Sequence, residues 1–255
     1  MYYLWKGRIF LPTIFLSPST QDYNLYATGG SEKYYMNLLA DKMIPYLDAS
    51  GIAYVRNNPN GSAAESIRQS NMGNYDLHLA LHSNAAPPQD AGLYRGPDIY
   101  YYPTSQKGRR AADIIANNLK AIYPIPDKVD ARPSTALGEL RRVKAPSVFV
   151  ELAYHDNIDD ANWIINNLDE IAKNLVLSLS EYFSLPFDSG FTPREGIISL
   201  TSGNLNVRSY PSLSAPVIAV FPNGATVTVS GQSGEWYRVS DGSVNGWSAA
   251  RYILL

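Results

Sequence analysis

Two textures divide the chain. From residue 13 to 183, short apolar runs of strand length alternate with longer stretches whose apolar positions recur every three or four residues. Thr13–Ser17 is the first short run, followed by Glu32–Asp48 with Tyr35, Leu39, Met43 and Leu47 on one stripe, an amphipathic helix pattern. Gly51 ends that helix and Ile52–Arg56 restarts a strand. Ser62 with Glu65 three residues on has the form of a capping box, and it opens a helix carrying Ile67 and Ser70. Leu77–His82, Asp98–Tyr102 and Val148–Leu152 read as further strands, Gly108–Ile122 as a helix, and Asp160–Phe183 as one long final helix. Repeated strand–helix units joined by short turns predict an α/β fold, a mostly parallel sheet flanked by helices.

Pro186, Gly190, Pro193 and Gly196 then punctuate a stretch without periodicity, read as a linker over residues 186–196. Beyond it only short strands follow, at Asn204–Arg208, Val217–Phe221, Thr226–Ser230, Trp236–Val239 and Gly246–Ser248, with turn signals at Asn223-Gly224 and Asp241-Gly242. This predicts a small SH3-like β-barrel over residues 197–255, behind a first domain of residues 1–185.

Composition narrows the chemistry. A formal charge of −2 offers no electrostatic pull toward nucleic acid. The absence of cysteine removes disulfides, thiolate zinc sites and thiol nucleophiles. No apolar run approaches the roughly 18 residues of a membrane span. Ile9–Leu16 is short, broken by Pro12 and lacks a small-x-small cleavage site, so it reads as a first buried strand rather than a signal peptide. Tyrosine is abundant, 19 against 7 Phe, and suits a wet surface that stacks on sugars or peptides as well as it suits a core.

The three histidines are few enough to weigh singly. His82 ends a strand at the sheet edge where ligands of open α/β sheets sit. His78 shares its face but stands roughly 13 Å away at about 3.3 Å per residue, too far for one metal ion, and reads as structural. His155 follows another strand end. Glu32 opens a helix after Gly29-Gly30-Ser31, where an acid also suits the helix dipole. Glu151 ends the run Val148-Phe149-Val150, where an unpaired carboxylate is costly to bury and so needs a metal, a partner or a task.

Glu32 after a glycine turn, Leu81-His82-Ser83-Asn84-Ala85, and Val150-Glu151-x-x-Tyr154-x-Asp156-Asn157 together resemble the zinc-dependent N-acetylmuramoyl-L-alanine amidases, over residues 13–183. Arg68, Ser70, Asn71 and Asp76 before the histidine strand, and Lys144-Ala145-Pro146 before the last one, agree with that family. The resemblance implies a Zn2+ cofactor held by Glu32 and His82, Glu151 as the acid/base, and Asn84 and Tyr154 at the substrate. It implies hydrolysis of the amide between N-acetylmuramic acid and L-alanine in peptidoglycan by zinc-activated water, outside the cell at the bacterial wall. One departure stands out: the family's first ligand is a histidine in the turn after the first strand, where this chain reads Ser17-Pro18-Ser19-Thr20-Gln21. Position favours Gln21 as the replacement and chemistry favours His155. An inactive amidase fold that binds peptidoglycan, and a zinc peptidase cutting within the stem peptide, are the rival readings.

The C-terminal stretch resembles the bacterial SH3 family through Leu205-Asn206-Val207-Arg208-Ser209-Tyr210-Pro211-Ser212, Glu235-Trp236-Tyr237 and Gly246-Trp247. Trp236, Tyr237 and Trp247 are then either barrel packing or an aromatic groove for wall peptide. A wall-bound module would raise the enzyme's concentration on an insoluble substrate.

Overall fold

The computed structural model describes residues 4–5, 8–9, 11–188, 193–208, 211, 213, 215–233 and 235–255. Phe10 of the first apolar run, Gly190 of the linker, and Ser209, Tyr210 and Ser212 of the barrel motif lie outside the described residues. Two units are present, residues 1–187 and 188–255.

In the first unit a short hairpin of Leu4–Trp5 (β1) and Arg8–Ile9 (β2) precedes the main elements. These are Thr13–Pro18 (β3), Glu32–Ala49 (α1), Ala53–Arg56 (β4), Ala63–Met72 (α2), Leu77–Asn84 (β5), Asp98–Tyr101 (β6), Gln106–Leu119 (α3), Asp130–Pro133 (β7), Gly138–Arg141 (α4), Ser147–Tyr154 (β8), Ile158–Asn166 (α5) and Leu168–Phe183 (α6). The sheet order is β4-β3-β5-β8-β6-β7. β4, β3, β5 and β8 run parallel, while β6 lies antiparallel to β8 and parallel to β7. The capping reading holds: Ser62 accepts from the Glu65 amide. The final helix is two, because Asn167 interrupts it and serves as the C-cap of α5.

Strand alternation gives this sheet two unlike faces. One presents Ile14 and Leu16, Leu77, Leu79 and Leu81, and Val148, Val150 and Leu152, all buried under Met36, Leu39 and Met43 of α1, Ile115 of α3 and Leu175 of α6. This is the main core. The other carries Phe15 and Ser17 on β3, His78, Ala80 and His82 on β5, and Ser147, Phe149 and Glu151 on β8. It is covered by the shorter α2 and α4, through Ser70 and through Leu140 packed with Ala80 and Phe149. Residues able to do chemistry are thus segregated from the face that supplies most of the apolar burial.

The second unit is an antiparallel sheet of Arg194–Ile198 (β9), Asn204–Arg208 (β10), Val217–Pro222 (β11), Thr226–Ser233 (β12), Trp236–Ser240 (β13), Asn245–Ala249 (β14) and Ile253–Leu254 (β15), ordered β11-β10-β14-β13-β12-β9-β15. Ile198, Leu205, Val207, Phe221, Val227, Val229, Val239 and Ile253 form its core. The strand β9 begins at Arg194, inside the stretch read from sequence as linker, and pairs with β12 and β15. It escaped detection because Gly196 interrupts its apolar pattern; Gly196 is needed there because an added Cβ would stand 2.6 Å from the Ile253 side chain. Among the described residues no helix is long and apolar enough to cross a membrane.

Candidate active site

The carboxyl edge of β5 and β8 gathers the candidate residues. In-register pairing sets His82 opposite Glu151, on the same face. The third element is the start of α1. Gly29 and Gly30 both take positive φ, +91° and +85°, a conformation that side chains other than glycine's adopt only with strain. The turn they make lets Ser31 cap the helix and drives Glu32, 1% exposed, down onto the strand ends.

There Glu32 Oε1 lies 2.7 Å from His82 Nδ1, and Glu32 Oε2 accepts from Asn24 Nδ2 at 2.6 Å. A carboxylate only accepts, so His82 donates from Nδ1. Burial works to raise the Glu32 pKa, but the bonds from His82 and Asn24 hold it below the ordinary carboxylate value. Burial alone would discharge His82. The facing carboxylates of Glu139 and Glu32 outweigh it and lift the imidazole to about 10.

Glu139, on α4, was not found from sequence. Its Oε2 accepts from Ser17 Oγ at 2.7 Å and from His78 Nε2 at 2.8 Å, and its Oε1 stands 3.5 Å from His82 Nε2. That last separation is an ion-pair distance without hydrogen-bonding alignment, and His82 Nε2 has no hydrogen-bond partner. His78 completes the chain through Nδ1, 3.0 Å from Ser70 Oγ. His78 is structural, as its distance from His82 required, but it is structural by holding the acid that faces His82. His78, a second histidine on the working face with no task of its own, was the available signal.

Glu151 differs from both other acids. Its Oε2 is shut off from solvent and accepts no hydrogen bond. Burial first, then the charges of Glu32 and Asp98, push its pKa up to about 8 against the opposing pull of His82. A carboxyl that holds or releases a proton near neutral pH, with one oxygen uncommitted, is suited to proton transfer.

The two candidates for a third ligand separate cleanly. His155 is stacked on Tyr26 with ring centroids 5.2 Å apart, and its Nδ1 donates to the Ser83 carbonyl at 2.9 Å. That bond ties it to the strand end. Gln21 does reach, with Nε2 3.3 Å from His82 Nδ1. Yet its Oε1 accepts from Tyr23 Oη at 2.9 Å and Asn24 Nδ2 at 3.2 Å, so the nitrogen, not the oxygen, faces the imidazole. An amide nitrogen is no zinc ligand. Among the described residues no group of three or more His, Cys, Asp or Glu side chains is arranged to hold a metal ion. The donor set does not fit a structural or catalytic zinc.

Around the pair, Asn84 and Tyr154 end β5 and β8 side by side. The Tyr154 ring lies 5.8 Å from that of Tyr94, and its amide is fixed by Asp160. Ser70, Asn71 and Asp76 of the upstream motif are braces: Ser70 to His78, Asn71 to Arg142 and Lys144, Asp76 to the Thr13 amide. Arg68 makes only a surface pair with Glu65. In the second unit Trp247 is 6% exposed and belongs to the packing, whereas Trp236 and Tyr237 are half-buried and keep ring surface in reach of a ligand.

Comparison with known proteins agrees on both units. The family model of N-acetylmuramoyl-L-alanine amidase matches residues 19–181, and that of the bacterial SH3 domain matches residues 203–253. Similar solved structures include an N-acetylmuramoyl-L-alanine amidase of Clostridium difficile 630 (TM-score 0.61, 16% identity, 68% of this chain and 97% of that one). Amidase AmiC2 of Nostoc punctiforme matches with a TM-score of 0.58 and 16% identity over 68% of this chain and 97% of that one. The catalytic domain of an endolysin targeting Clostridia difficile gives 0.55 and 21% over 67% and 97%. At these identities the likeness to solved structures is one of fold. No curated protein matches the chain.

Proposed function

Since the chain belongs to the N-acetylmuramoyl-L-alanine amidase family and carries a bacterial SH3 domain, we propose that it hydrolyses the bond between N-acetylmuramic acid and L-alanine in peptidoglycan, at the bacterial cell wall. One observation carries the reading: Glu151 presents a buried, unpartnered oxygen beside His82 at the ligand-binding edge of the sheet. In its ionised form Glu151 takes a proton from the attacking water, then returns it to the departing amide nitrogen. The imidazolium of His82, held charged by its carboxylate neighbours, stabilises the oxyanion that forms on the scissile carbonyl. Glu32 fixes that ring through Nδ1, and Glu139 faces its buried Nε2 at 3.5 Å without a hydrogen bond. Asn84 and Tyr154, at the ends of the same two strands, line the approach for the stem peptide. The zinc implied by the family resemblance has no complete donor set here, and no step is assigned to it.

The test is digestion of purified peptidoglycan by the full chain and by Glu151→Gln, with mass spectrometry of the released muropeptides. The reading expects free L-alanine N-termini from the parent and none from the variant, whose circular dichroism is unchanged. Cleavage within the stem peptide, or equal release by both proteins, overturns it. A second reading, binding without cleavage, is favoured by Gln21 standing in the ligand turn. It predicts sedimentation with peptidoglycan and no soluble product.

A further inference from the structure

The substrate of such a hydrolase leaves its scissile bond in two directions, as a sugar on one side and a peptide on the other. Asn84 and Tyr154 mark one direction, at the ends of β5 and β8. The other runs toward β3 and β4, where a cavity of about 540 Å3 opens between α1 and the end of β4. Tyr34, Asn37 and Leu38 line it from the helix, and Arg56 and Asn57 from the strand end. A single turn, residues 18–21, divides it from His82. On the cavity side Asn57 Nδ2 donates to the Pro18 carbonyl at 2.9 Å, Asn37 Nδ2 to the Ser19 carbonyl at 3.0 Å, and the Lys33 amide to the Gln21 carbonyl at 3.2 Å. On the other side the Gln21 side chain touches His82.

The lining suits a ring with polar substituents and no charge. Tyr34 is 60% exposed, yet its ring is held in place. It stands edge-on to Tyr35 at 5.0 Å and 76°, and Tyr35 packs on Tyr26 at 4.6 Å and donates from Oη to the Gly29 carbonyl at 3.2 Å. A fixed aromatic face left open to water is a surface on which the apolar face of a pyranose can stack. Arg56 is paired with Asp41, and Lys33 Nζ donates to Asn60 Oδ1 at 3.2 Å, so the walls present polar groups more than net charge. Asn57, 4% exposed, adds an acceptor that nothing satisfies, because its Oδ1 has no hydrogen-bond partner. Its Nδ2 faces a carbonyl, which only accepts, so the amide cannot be turned over to relieve that oxygen.

We propose that this cavity holds the pyranose ring of the N-acetylmuramic acid residue, stacked on Tyr34, while the stem peptide runs past Asn84 and Tyr154. Tyr34 is then a specificity-determining residue: it reads whether the acyl group on L-alanine belongs to a sugar. This placement rests on the proposed hydrolysis only for the scissile amide lying at His82 and Glu151.

The experiment compares two substrates with the same stem peptide. One is acylated on L-alanine by N-acetylmuramic acid; the other carries the lactyl group alone, which keeps the scissile amide and lacks the ring. The full chain, Tyr34→Ala and Tyr34→Phe are assayed for kcat and KM. The expected result is a KM roughly five- to tenfold lower for the sugar-bearing substrate with the parent, a preference erased by Tyr34→Ala and kept by Tyr34→Phe. No preference in the parent overturns the proposal, as does a preference that survives in Tyr34→Ala with both substrates weakened alike. If neither substrate is cut, the hydrolysis reading fails by itself, and equilibrium titration of the same two compounds into the same proteins decides. Tighter binding of the sugar-bearing compound, lost in Tyr34→Ala, supports the sugar site; equal binding of both by the parent overturns it.

Discussion

His78 donates from Nε2 to Glu139 Oε2 at 2.8 Å, so one buried carboxylate stands between the two histidines of β5. Removing it strands the His78 N–H and the Ser17 hydroxyl and strips His82 of one of its two counter-charges. Glu139→Ala should destabilise the first unit by about 3 kcal/mol or more, since breaking a buried pair leaves its partner uncompensated. Glu139→Gln, which keeps the shape and one acceptor, should lose less. Urea midpoints of the two variants measure this, and equal losses would refute a role for the charge.

Glu151 links stability to pH. Its folded value of about 8 lies above the ordinary carboxylate value, so between the two the native state holds a proton that the unfolded chain releases. Stability therefore falls as pH rises through this window. Glu151→Gln carries no such proton, and its stability relative to the parent should rise by about 3–4 kcal/mol between pH 5 and pH 8. The raised His82 value also favours the native state at low pH and is lost as pH climbs toward 10, but both proteins share it and it cancels. Calorimetry across the window reads the difference; a gap that does not change with pH contradicts the assignment.

Muropeptide release should withstand chelation. With no complete donor set for a metal ion among the described residues, EDTA pretreatment is expected to leave the initial rate within about twofold. Abolition by EDTA and recovery with zinc would overturn the metal-free mechanism.

Asp160 is the brace of the loop beside the site. Fully buried, it accepts from Tyr123 Oη at 2.6 Å, the Gly96 amide at 2.8 Å and the Tyr154 amide at 3.1 Å, and it pairs with Arg95. Asp160→Ala should cost about 3 kcal/mol. Hydrogen exchange should show the Gly96 and Tyr154 amides losing protection first.

In the SH3 unit, Trp247 and Tyr237 should separate by effect. Trp247→Ala removes a buried ring and should destabilise the unit by about 3–5 kcal/mol. Tyr237→Ala, from a half-buried position packed against the unit's core, should destabilise less than Trp247→Ala and reduce co-sedimentation with peptidoglycan several-fold. Undiminished sedimentation would place the wall contact elsewhere.

Much of this was legible in the chain. The apolar strands β3, β5 and β8 and the striped helices α1 and α6 announce themselves because burial on the main core enforces period two or period 3.6. Glu32, His82 and Glu151 could be picked out because Glu32 opens α1 and the other two are polar residues in the carboxyl-terminal halves of apolar strands β5 and β8. The rest was hidden for physical reasons. β7 and α4 span four residues each, too few to show any period. Glu139 rides on one of them, and its meaning depends on Ser17 and His78, 122 and 61 positions away. The choice between Gln21 and His155 turned on which way an amide and an imidazole face, which only the hydrogen bonds of Asn24 and Ser83 decide.

The unlike faces of the sheet bear on how such a protein can change. Because the residues of the main core point one way from each strand and those around His82 point the other, changes near His82 leave Leu16, Leu79 and Val150 in place and act on a second, smaller packed layer that includes Phe15, Ala80 and Phe149. A library confined to alternate positions of β3, β5 and β8 would therefore sample new activities while leaving the larger apolar layer of the sheet as it is.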